Sequence, residues 1–207
     1  MITKSVPDIV VGRLPLYLRI LNRLIEAEHT TTNSQEMGAL LGISSAQIRK
    51  DLSYFGGFGK YGAGYDVLFL RDQLQRILNL ERIWPVVLVG AGDLGRAVAN
   101  YRGFTQGGFE ITGVFDNDPE KIGLPIGDLV VQDVGLLEQT IRSENIKIAI
   151  IAVPARAAQA VADRLIDAGV EAILSYAPTT LKVPEQVKVQ YIDPVAELQH
   201  MAYYLKS

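Results

Sequence analysis

The chain has 207 residues and no cysteine, which excludes disulfides and cysteine-based zinc sites and favours a reducing compartment. Apolar residues make up 48% of the chain and charged residues 21%, as in an ordinary folded protein. No apolar stretch has the length of a signal peptide core or of a membrane span, so we expect a cytoplasmic protein. Residues 1–60 carry seven basic and five acidic side chains, whereas the remainder carries 13 and 18. A basic segment joined to an acidic one has the charge distribution expected of a DNA-binding head.

Periodicity predicts three helices in the basic segment. Apolar residues recur at three- and four-residue spacing over about residues 13–28, as in an amphipathic helix. A polar stretch with candidate N-caps, residues 30–34, leads to a short helix that stops at Gly42, a natural helix terminator. A capping box formed by Ser44 and Gln47 opens a third helix, which continues to about residue 54.

The third helix is the candidate recognition helix of a helix-turn-helix module. At 100° per residue, Ile48 and Leu52 share its buried face, and small and basic residues share the opposite face. The glycine-rich aromatic run over residues 55–65 predicts turns and a short hairpin, placed like a wing beside the duplex. The candidate DNA-binding residues of the helix and the wing are Ala46, Gln47, Arg49, Lys50, Ser53, Lys60 and Tyr61. An ordinary solvated helix face would also carry two cations, so this alternative stays open.

The second part of the chain has a different pattern, which begins after a linker helix over residues 70–78. Continuous apolar runs, typical of strands buried on both faces of a parallel sheet, cover residues 86–89, 111–115, 148–153 and 172–174. Helical patterns separate these runs, for example over residues 94–101 and 157–168. The alternation predicts an α/β fold with a doubly wound parallel sheet. A last amphipathic segment, residues 195–205, closes the chain.

A glycine-rich loop directly follows the first apolar run and opens a helix, as in a dinucleotide-binding GxGxxG motif; it consists of Gly90, Ala91, Gly92, Asp93, Leu94 and Gly95. The first glycine allows a tight turn, the second lets a pyrophosphate approach the backbone, and the third permits close helix–strand packing. Asp116 ends the second run, where a carboxylate accepts hydrogen bonds from an adenosine ribose and repels a 2′-phosphate, which favours NAD over NADP. Alternatively, the glycines merely shape a turn and Asp116 lies in a solvated loop.

A more specific signal is the run from Gln47 to Gly56, QIRKDLSYFG, which continues to Gly62-Ala63-Gly64-Tyr65. Together with Arg13-Leu14-Pro15, the glycine-rich loop, Val153-Pro154 and Ala177-Pro178, it makes essentially the whole chain resemble the redox-sensing transcriptional repressors of the Rex family. The resemblance implies a winged-helix domain (residues 1–80), a Rossmann domain that binds NADH and NAD+ (81–191) and a C-terminal helix exchanged in a homodimer (192–207). Such proteins repress operator DNA when NADH is scarce and release it when NADH rises.

The resemblance also implies further site residues. It adds to the glycine-rich loop and Asp116 the cofactor-binding candidates Val153, Pro154, Tyr176 and Pro178. Where the family often has Asn-Phe before Ala-Pro, this chain has Ser175-Tyr176, which keeps the aromatic ring and adds a hydroxyl. The positions that match the family's proposed switch are Arg19, Tyr101 and Asp193. There an Arg–carboxylate pair would alternate with a Tyr–carboxylate contact, although each could be a plain surface or packing residue.

Two other functions stay open. A small NAD-dependent oxidoreductase would have little room for a substrate domain, because only about 127 residues follow residue 80. No Lys, His or Tyr is arranged to hold a substrate carbonyl, and His29 and His200 are predicted to be surface residues, so we expect neither an enzyme nor a metal site. The third possibility is a regulatory module that binds CoA or a nucleotide and has no role at DNA.

Overall fold

The computed structural model describes residues 6–59 and 64–205. The chain divides into two compact units, Met1–Arg82 and Ile83–Ser207. The elements of the first unit are α1 (Asp8–Val11), α2 (Leu14–Glu26), β1 (Thr31–Thr32), α3 (Ser34–Leu41), α4 (Ser45–Ser53), β2 (Tyr65–Asp66) and α5 (Val67–Ile77). The three helices that periodicity predicts are α2, α3 and α4, and each lies within two residues of its predicted bounds.

The turn between α3 and α4 forms as its residue types predict. Gly42 ends α3 in the left-handed conformation, with φ of +67°. The Ser44 hydroxyl oxygen accepts a hydrogen bond from the Gln47 N–H at 3.2 Å and caps α4. The second half of the predicted capping box is wrong, because the Gln47 side chain donates to Asp51 at 2.7 Å instead of reaching back to the cap. The two helices therefore form a helix-turn-helix with a one-sided cap.

The core of the first unit includes α5, which the sequence suggests is only a linker. Leu70 and Leu74 on α5 are fully buried and belong to the same apolar cluster as Tyr17 and Leu21 on α2. Their spacing of four residues places each pair on one helix face. The predicted helix over residues 70–78 is confirmed as α5, but its description as a linker is wrong, because α5 closes the core of the first unit behind the helix-turn-helix.

The predicted wing takes a different pairing from a local hairpin. Strand β2 pairs antiparallel with β1, with Tyr65 opposite Thr32, so the polar stretch before α3 is partly a strand. Gly64 has φ of +75°, and a Cβ there would lie 2.3 Å from the Thr32 carbonyl oxygen, so only glycine allows this approach. Residues 60–63, which include the predicted wing residues Lys60 and Tyr61, lie outside the described residues.

The second unit is an α/β sheet with flanking helices, which confirms the predicted fold class. Its elements are β3 (Trp84–Val89), α6 (Asp93–Ala99), α7 (Gly103–Gln106), β4 (Phe109–Asp116), β5 (Pro125–Ile126), β6 (Leu129–Asp133), a 3₁₀ turn (Val134–Leu136), α8 (Leu137–Ser143), β7 (Ile148–Ile151), α9 (Ala155–Ala168), β8 (Ala172–Ser175), β9 (Lys188–Tyr191) and α10 (Pro194–Ala202). The sheet order is β5-β6-β4-β3-β7-β8-β9, and only the β5–β6 pair is antiparallel. Strands β5, β6 and β9 are not predicted by the sequence.

This strand order places a binding crevice beside β3. The chain runs outwards from β3 to β4 and β6, and then returns to β7 on the other side of β3. In open parallel sheets, ligands bind outside the carboxyl ends of the strands at such a reversal. Apolar clusters cover both sides of the sheet and bury β3, with Val87 and Val89 in one cluster and Val86 and Leu88 in the other. The glycine-rich loop begins at Gly90, directly at the end of this buried strand.

Candidate functional site

The glycine-rich loop has three glycines in three different environments. Gly90 has φ of +105°, and a Cβ there would lie 2.4 Å from the Ala152 carbonyl oxygen at the end of β7. A Cβ on Gly95 would lie only 1.9 Å from the Gly90 carbonyl oxygen, so α6 packs against the loop without space for a side chain. Gly92, at the N-cap of α6, has no heavy atom of the described residues within 4 Å of an added Cβ. A phosphate-binding loop needs a tight turn, close packing of the helix against the loop, and backbone that a phosphate can approach. Gly90, Gly95 and Gly92 provide these three properties in that order.

Asp116 lies at the carboxyl end of β4 and is built into this loop. Its side chain is buried, and its two oxygens accept the N–H groups of Ala91 at 2.7 Å and Asp118 at 2.9 Å. Lys121 Nζ lies 3.6 Å from Asp116 Oδ2 and 3.2 Å from Asp118 Oδ2. Burial by itself raises the pKa of Asp116, but the backbone N–H groups and the Lys121 ammonium outweigh it and hold the pKa below its usual range. Asp116 is therefore an ionised, ordered carboxylate and does not lie in a solvated loop.

A cavity of about 940 Å³ opens over the glycine-rich loop and the carboxyl ends of β3, β4 and β7. The volume lies at the upper end of the range for ligand sites, which suits a dinucleotide. Nine predicted cofactor residues line it: Gly90, Gly92, Asp93, Leu94, Asp116, Val153, Pro154, Tyr176 and Pro178. The other two do not: Ala91 is fully buried and supplies its N–H to Asp116, and Gly95 packs under the loop. Both shape the loop rather than the cavity wall.

The cavity also contains basic residues that the sequence analysis missed, namely Lys121, Arg156 and Arg164. Arg164 on α9 forms a two-pronged pair with Glu138 on α8, at 2.5 and 2.9 Å, and also donates to the Val134 carbonyl oxygen at 2.8 Å. The Arg164 guanidinium lowers the pKa of the Glu138 carboxyl below its usual range. Residues this distant in sequence meet only through the fold. Lys121 lies five residues after Asp116, but only the turn that begins at Asp118 brings it back to the carboxylates.

The two sides of the cavity differ in charge. Its carboxylates belong to the carboxyl end of β4 and to the segments that follow β3 and β4, namely Asp93, Asp116 and Asp118. The lining residues from Val134 to Pro178 include no aspartate or glutamate, and the only charged ones are Arg156 and Arg164. A cationic ring would therefore find no counter-ion among the described lining residues on that side, whereas a neutral ring would suffer no such penalty.

In the first unit, α4 presents the predicted face. Ile48 is fully buried and Leu52 is 2% exposed, which confirms the predicted buried side. The opposite side carries the exposed residues Ala46, Arg49, Lys50 and Ser53. Two of these are oriented by the protein: Arg49 donates to the buried Ser34 hydroxyl at 2.9 Å, and Ser53 donates to the Lys50 carbonyl oxygen at 2.7 Å. The faces of α4 are therefore as predicted, and their contact with DNA stays a prediction.

A polar groove of about 850 Å³ runs beside α4, and the sequence analysis missed its second wall. One wall comes from α4 and the glycine-rich segment that follows it, and the other from the N-terminal end of α3. The described lining residues are Asn33, Ser34, Gln35, Ser45, Arg49, Leu52, Ser53, Gly56, Gly57, Phe58, Gly59, Gly64 and Tyr65. Among them Arg49 is the one charged residue, and its hydrogen bond to Ser34 connects α4 to the N-terminal end of α3.

The three predicted switch residues are divided between the two units. Arg19 is exposed on α2 in the first unit. In the second unit, Tyr101 is 64% exposed and its ring meets Phe104 edge-on at 5.5 Å. Asp193 caps α10, because its carboxylate accepts the N–H groups of the second and third residues after it at 3.0 and 3.3 Å. Asp193 is thus already used as a helix cap, a role that its sequence position before Pro194 indicates but that the sequence analysis did not assign.

Similarity to known proteins decides the family. The model described as "Putative DNA-binding protein N-terminus" matches residues 5–53, and the model described as "CoA binding domain" matches residues 81–179. A relative from Chloroflexus aggregans, named "Redox-sensing transcriptional repressor Rex", is 57% identical over 199 residues, which are 96% of this chain and 94% of the relative. The chain belongs to the Rex family of redox-sensing transcriptional repressors. A Rex repressor from Streptomyces coelicolor is 46% identical over 98% of this chain and 78% of that protein.

Solved Rex-family structures share the fold. The repressor RSP in complex with β-NAD+ and operator DNA is 39% identical, with a TM-score of 0.91 over 97% of this chain and 92% of that one. RSP in complex with β-NADH is 38% identical, with a TM-score of 0.87 over 97% and 94%. These Rex relatives are named as repressors and not as enzymes, which favours the regulator over the oxidoreductase. Within the described ranges, no helix is long and apolar enough to cross a bilayer, and no cluster of His, Asp and Glu has the grouping of a metal site.

Proposed function

We propose that the chain is a repressor that binds operator DNA through α4 and releases it when NADH occupies the cavity over the glycine-rich loop. The observation that carries this proposal is the cavity itself: an open Gly92 and an ordered Asp116 lie on one side, and a wall without carboxylates on the other. The pyrophosphate would lie over Gly92, the adenosine ribose near Asp116, and the nicotinamide against Val153, Pro154, Tyr176 and Pro178.

The charge of the nicotinamide ring would provide the redox discrimination. The NAD+ ring is cationic and the NADH ring is neutral. On the side of the cavity that would receive the ring, Arg164 is paired with Glu138, and the other charged lining residue, Arg156, would repel a cation. Burial of a charge without a partner is costly, so the reduced cofactor would bind more tightly. The protein would thus report the NADH to NAD+ balance rather than the total cofactor concentration.

A homodimer would convert binding into release of DNA. Helix α10 has no buried residue, and its apolar side chains Val195, Leu198 and Met201 are 60–63% exposed, so this face lacks a covering surface within one chain. Exchange of residues 192–207 between two protomers would cover it. The two α4 helices of the dimer could then reach successive major-groove half-sites only at one distance between the two DNA-binding units. NADH would favour a different distance between these units. Moving such an equilibrium from one state to the other takes roughly 5 kcal/mol of differential binding, which two cofactors could supply.

We propose that three residues control the change between the two arrangements of the dimer, namely Arg19, Tyr101 and Asp193. Arg19 and Tyr101 are both exposed and therefore free to exchange partners, and Asp193 needs only part of its carboxylate for capping α10. An arginine–carboxylate pair is strong and directional, so its exchange for a tyrosine–carboxylate contact would bias one arrangement of the dimer. We place the protein in the cytoplasm, with the DNA that it would bind.

The test is a titration of operator binding with each cofactor. A palindromic operator is first selected from random DNA with the purified full-length chain, and binding is then measured with increasing NADH or NAD+. We expect NADH to weaken binding far more than NAD+ does. Equal effects of the two cofactors would refute redox discrimination, and failure to select any DNA would refute the repressor.

A module that binds only CoA or a nucleotide is the second candidate, because the second unit matches the CoA-binding model over residues 81–179. The variant Arg49→Ala with Lys50→Ala separates the two functions, since both side chains lie on the exposed face of α4. For a repressor, operator binding falls while NADH affinity stays constant. A parent chain that binds no DNA but still binds the nucleotide would favour the second candidate, whereas a double variant that binds operator DNA as the parent does would show that Arg49 and Lys50 are not its contacts.

A further inference from the structure

We propose that Asp51 is a positioning residue for operator recognition, because its buried carboxylate fixes the rotation of the recognition helix α4 against α2 and orients the Gln47 amide. This inference rests on the proposed repressor function. It assigns a role in reading DNA to three residues outside the exposed face of α4, namely Arg13, Tyr17 and Asp51.

The Asp51 carboxylate is fully buried and accepts four hydrogen bonds from other side chains. Arg13 donates two of them, from Nε at 2.5 Å and from Nη2 at 2.8 Å. The Tyr17 hydroxyl donates the third at 2.6 Å, and Gln47 Nε2 donates the fourth at 2.7 Å. Both carboxylate oxygens are used, each by two donors. A buried carboxylate is stable only with such a complete set of partners, and the bidentate arginine geometry fixes its direction.

The network connects α2 and α4, and each helix contributes two residues that are four positions apart. Arg13 and Tyr17 are four residues apart at the start of α2, and Gln47 and Asp51 are four residues apart on α4, so each pair lies on one helix face. The protonation state of the Asp51 carboxyl group is also fixed. Burial raises the pKa of Asp51, but the hydrogen bonds from Arg13, Tyr17 and Gln47 together outweigh burial and hold the pKa below its usual range. The carboxylate therefore remains charged at neutral pH.

Apolar packing alone would not fix the rotation of α4 as narrowly. Ile48 and Leu52 attach the helix to the core, but apolar attraction has no direction and tolerates small rotations. Hydrogen bonds between charged groups depend on both distance and angle. Base edges in the major groove are read by contacts with equally narrow geometry, whereas long basic side chains reach phosphates from many helix positions. The Asp51 network should therefore matter more for sequence-specific binding than for non-specific binding.

Gln47 connects the network to the DNA-facing side. It is only partly buried, and it lies between the buried face of α4 and the exposed face. One N–H of its amide is bound to Asp51, so the amide oxygen and the second N–H keep a set orientation. Paired oxygen and N–H groups of glutamine are the standard partners of an adenine edge. Without the Asp51 carboxylate, the same amide would rotate freely and lose this orientation.

The experiment compares Asp51→Asn with Asp8→Asn in the full-length chain. Asp8 is an exposed aspartate of the first unit, so the control makes the same chemical change without touching the network. Affinity for the selected operator and for random DNA is measured over a range of salt concentrations, together with NADH affinity. For Asp51→Asn we expect the ratio of operator to random affinity to fall at least tenfold, with unchanged NADH affinity and unchanged salt dependence for random DNA. Asp8→Asn should behave as the parent chain.

A second variant keeps the inference testable if Asp51→Asn does not fold. Tyr17→Phe removes one donor to Asp51 and keeps the buried ring, and we expect a smaller loss of the same ratio, roughly three- to tenfold. The inference is overturned if a folded variant keeps the parent ratio, or if operator and random DNA lose affinity equally. A parent chain that selects no operator would refute the repressor function itself, and with it this inference, whereas a variant with an unchanged ratio refutes only the role of Asp51.

Discussion

The open surroundings of Gly92 allow the cofactor site to be perturbed without damage to the fold. Gly92 has φ of −72° at the N-cap of α6, and an added Cβ meets no heavy atom of the described residues within 4 Å. Alanine is compatible with this conformation and stabilises by about 0.4–1 kcal/mol through the unfolded chain, but it is a poorer N-cap than glycine, so Gly92→Ala should leave stability nearly unchanged. The methyl group would, however, lie where a pyrophosphate approaches the backbone. Loss of one hydrogen bond to a charged group costs about 1.5–3 kcal/mol, so NADH affinity should fall roughly 10- to 100-fold.

Gly95→Ala is the contrasting variant of the same loop. Its Cβ would lie 1.9 Å from the Gly90 carbonyl oxygen and 2.9 Å from the carbonyl carbon, and neither backbone atom can move aside cheaply. Overpacking of this kind costs about 1–3 kcal/mol and sometimes more, so this variant should lose both stability and NADH affinity. The two alanines therefore separate damage to the site from damage to the fold.

NADH affinity by isothermal titration calorimetry and thermal unfolding by circular dichroism measure the two effects. Gly57→Ala is the control, because Gly57 lies in the first unit and an added Cβ there also meets no described heavy atom within 4 Å. We expect unchanged NADH affinity for this control. If Gly92→Ala binds NADH as tightly as the parent chain, the dinucleotide does not pass over Gly92, and the proposed orientation of the cofactor is wrong.

Three further predictions concern the dimer, the cofactor and acid stability. Leu198→Glu with Met201→Glu should yield a monomer in analytical ultracentrifugation, because both exposed side chains are proposed to be covered by the partner; a dimer at parental affinity would contradict this. Lys121→Gln leaves the Asp116 carboxylate less compensated, so the ratio of NADPH to NADH affinity should fall; an unchanged ratio would argue against a ribose beside this carboxylate. Because the folded pKa of Asp51 and of Asp116 lies below the unfolded value of about 3.9, the stabilisation from each is present above about pH 4 and is lost as pH falls through the folded pKa. Thermal unfolding between pH 7 and pH 2 should show this loss, and the Asp51→Asn variant should show a weaker dependence if it folds.

The sequence predicts the central strands of the second unit because their environment determines their composition. Strands β3 and β7 are covered by helices on both sides and become continuous apolar runs, which are visible without any knowledge of their partners. The outer strands lack this signal. In β6 only Val131 is buried, and β9 has no fully buried residue, so neither strand forms the long continuous apolar run that marks a central strand. Their place in the sheet follows from pairing with neighbours that are distant in sequence.

The first unit shows a similar limit for polar contacts. Helix periodicity places Ile48 inside and Arg49 outside, because both positions follow from local geometry. The same periodicity leaves Asp51 on the inner side of α4, where a charge looks like a contradiction. Only the fold resolves it, since Arg13, 38 residues away in the chain, supplies the opposite charge. Likewise, the pairing of Thr32 with Tyr65 depends on the close approach at Gly64 and has no local signature.

Asp116 links the construction of the cofactor site to its proposed chemistry. A carboxylate at the end of β4 is ordinarily assigned to the ribose, yet here it first binds the Ala91 N–H within the glycine-rich loop. The carboxylate has four lone pairs, of which the Ala91 and Asp118 N–H groups use two, so it can still accept a ribose hydroxyl. The same bond holds Gly90 and Gly92 in place before any ligand arrives, so less ordering remains to oppose binding. For that reason, substitution of Asp116 would change the shape of the phosphate loop as well as the choice between NAD and NADP. Lys121, which adjusts the charge without touching the loop backbone, is therefore the better position at which to measure cofactor choice alone.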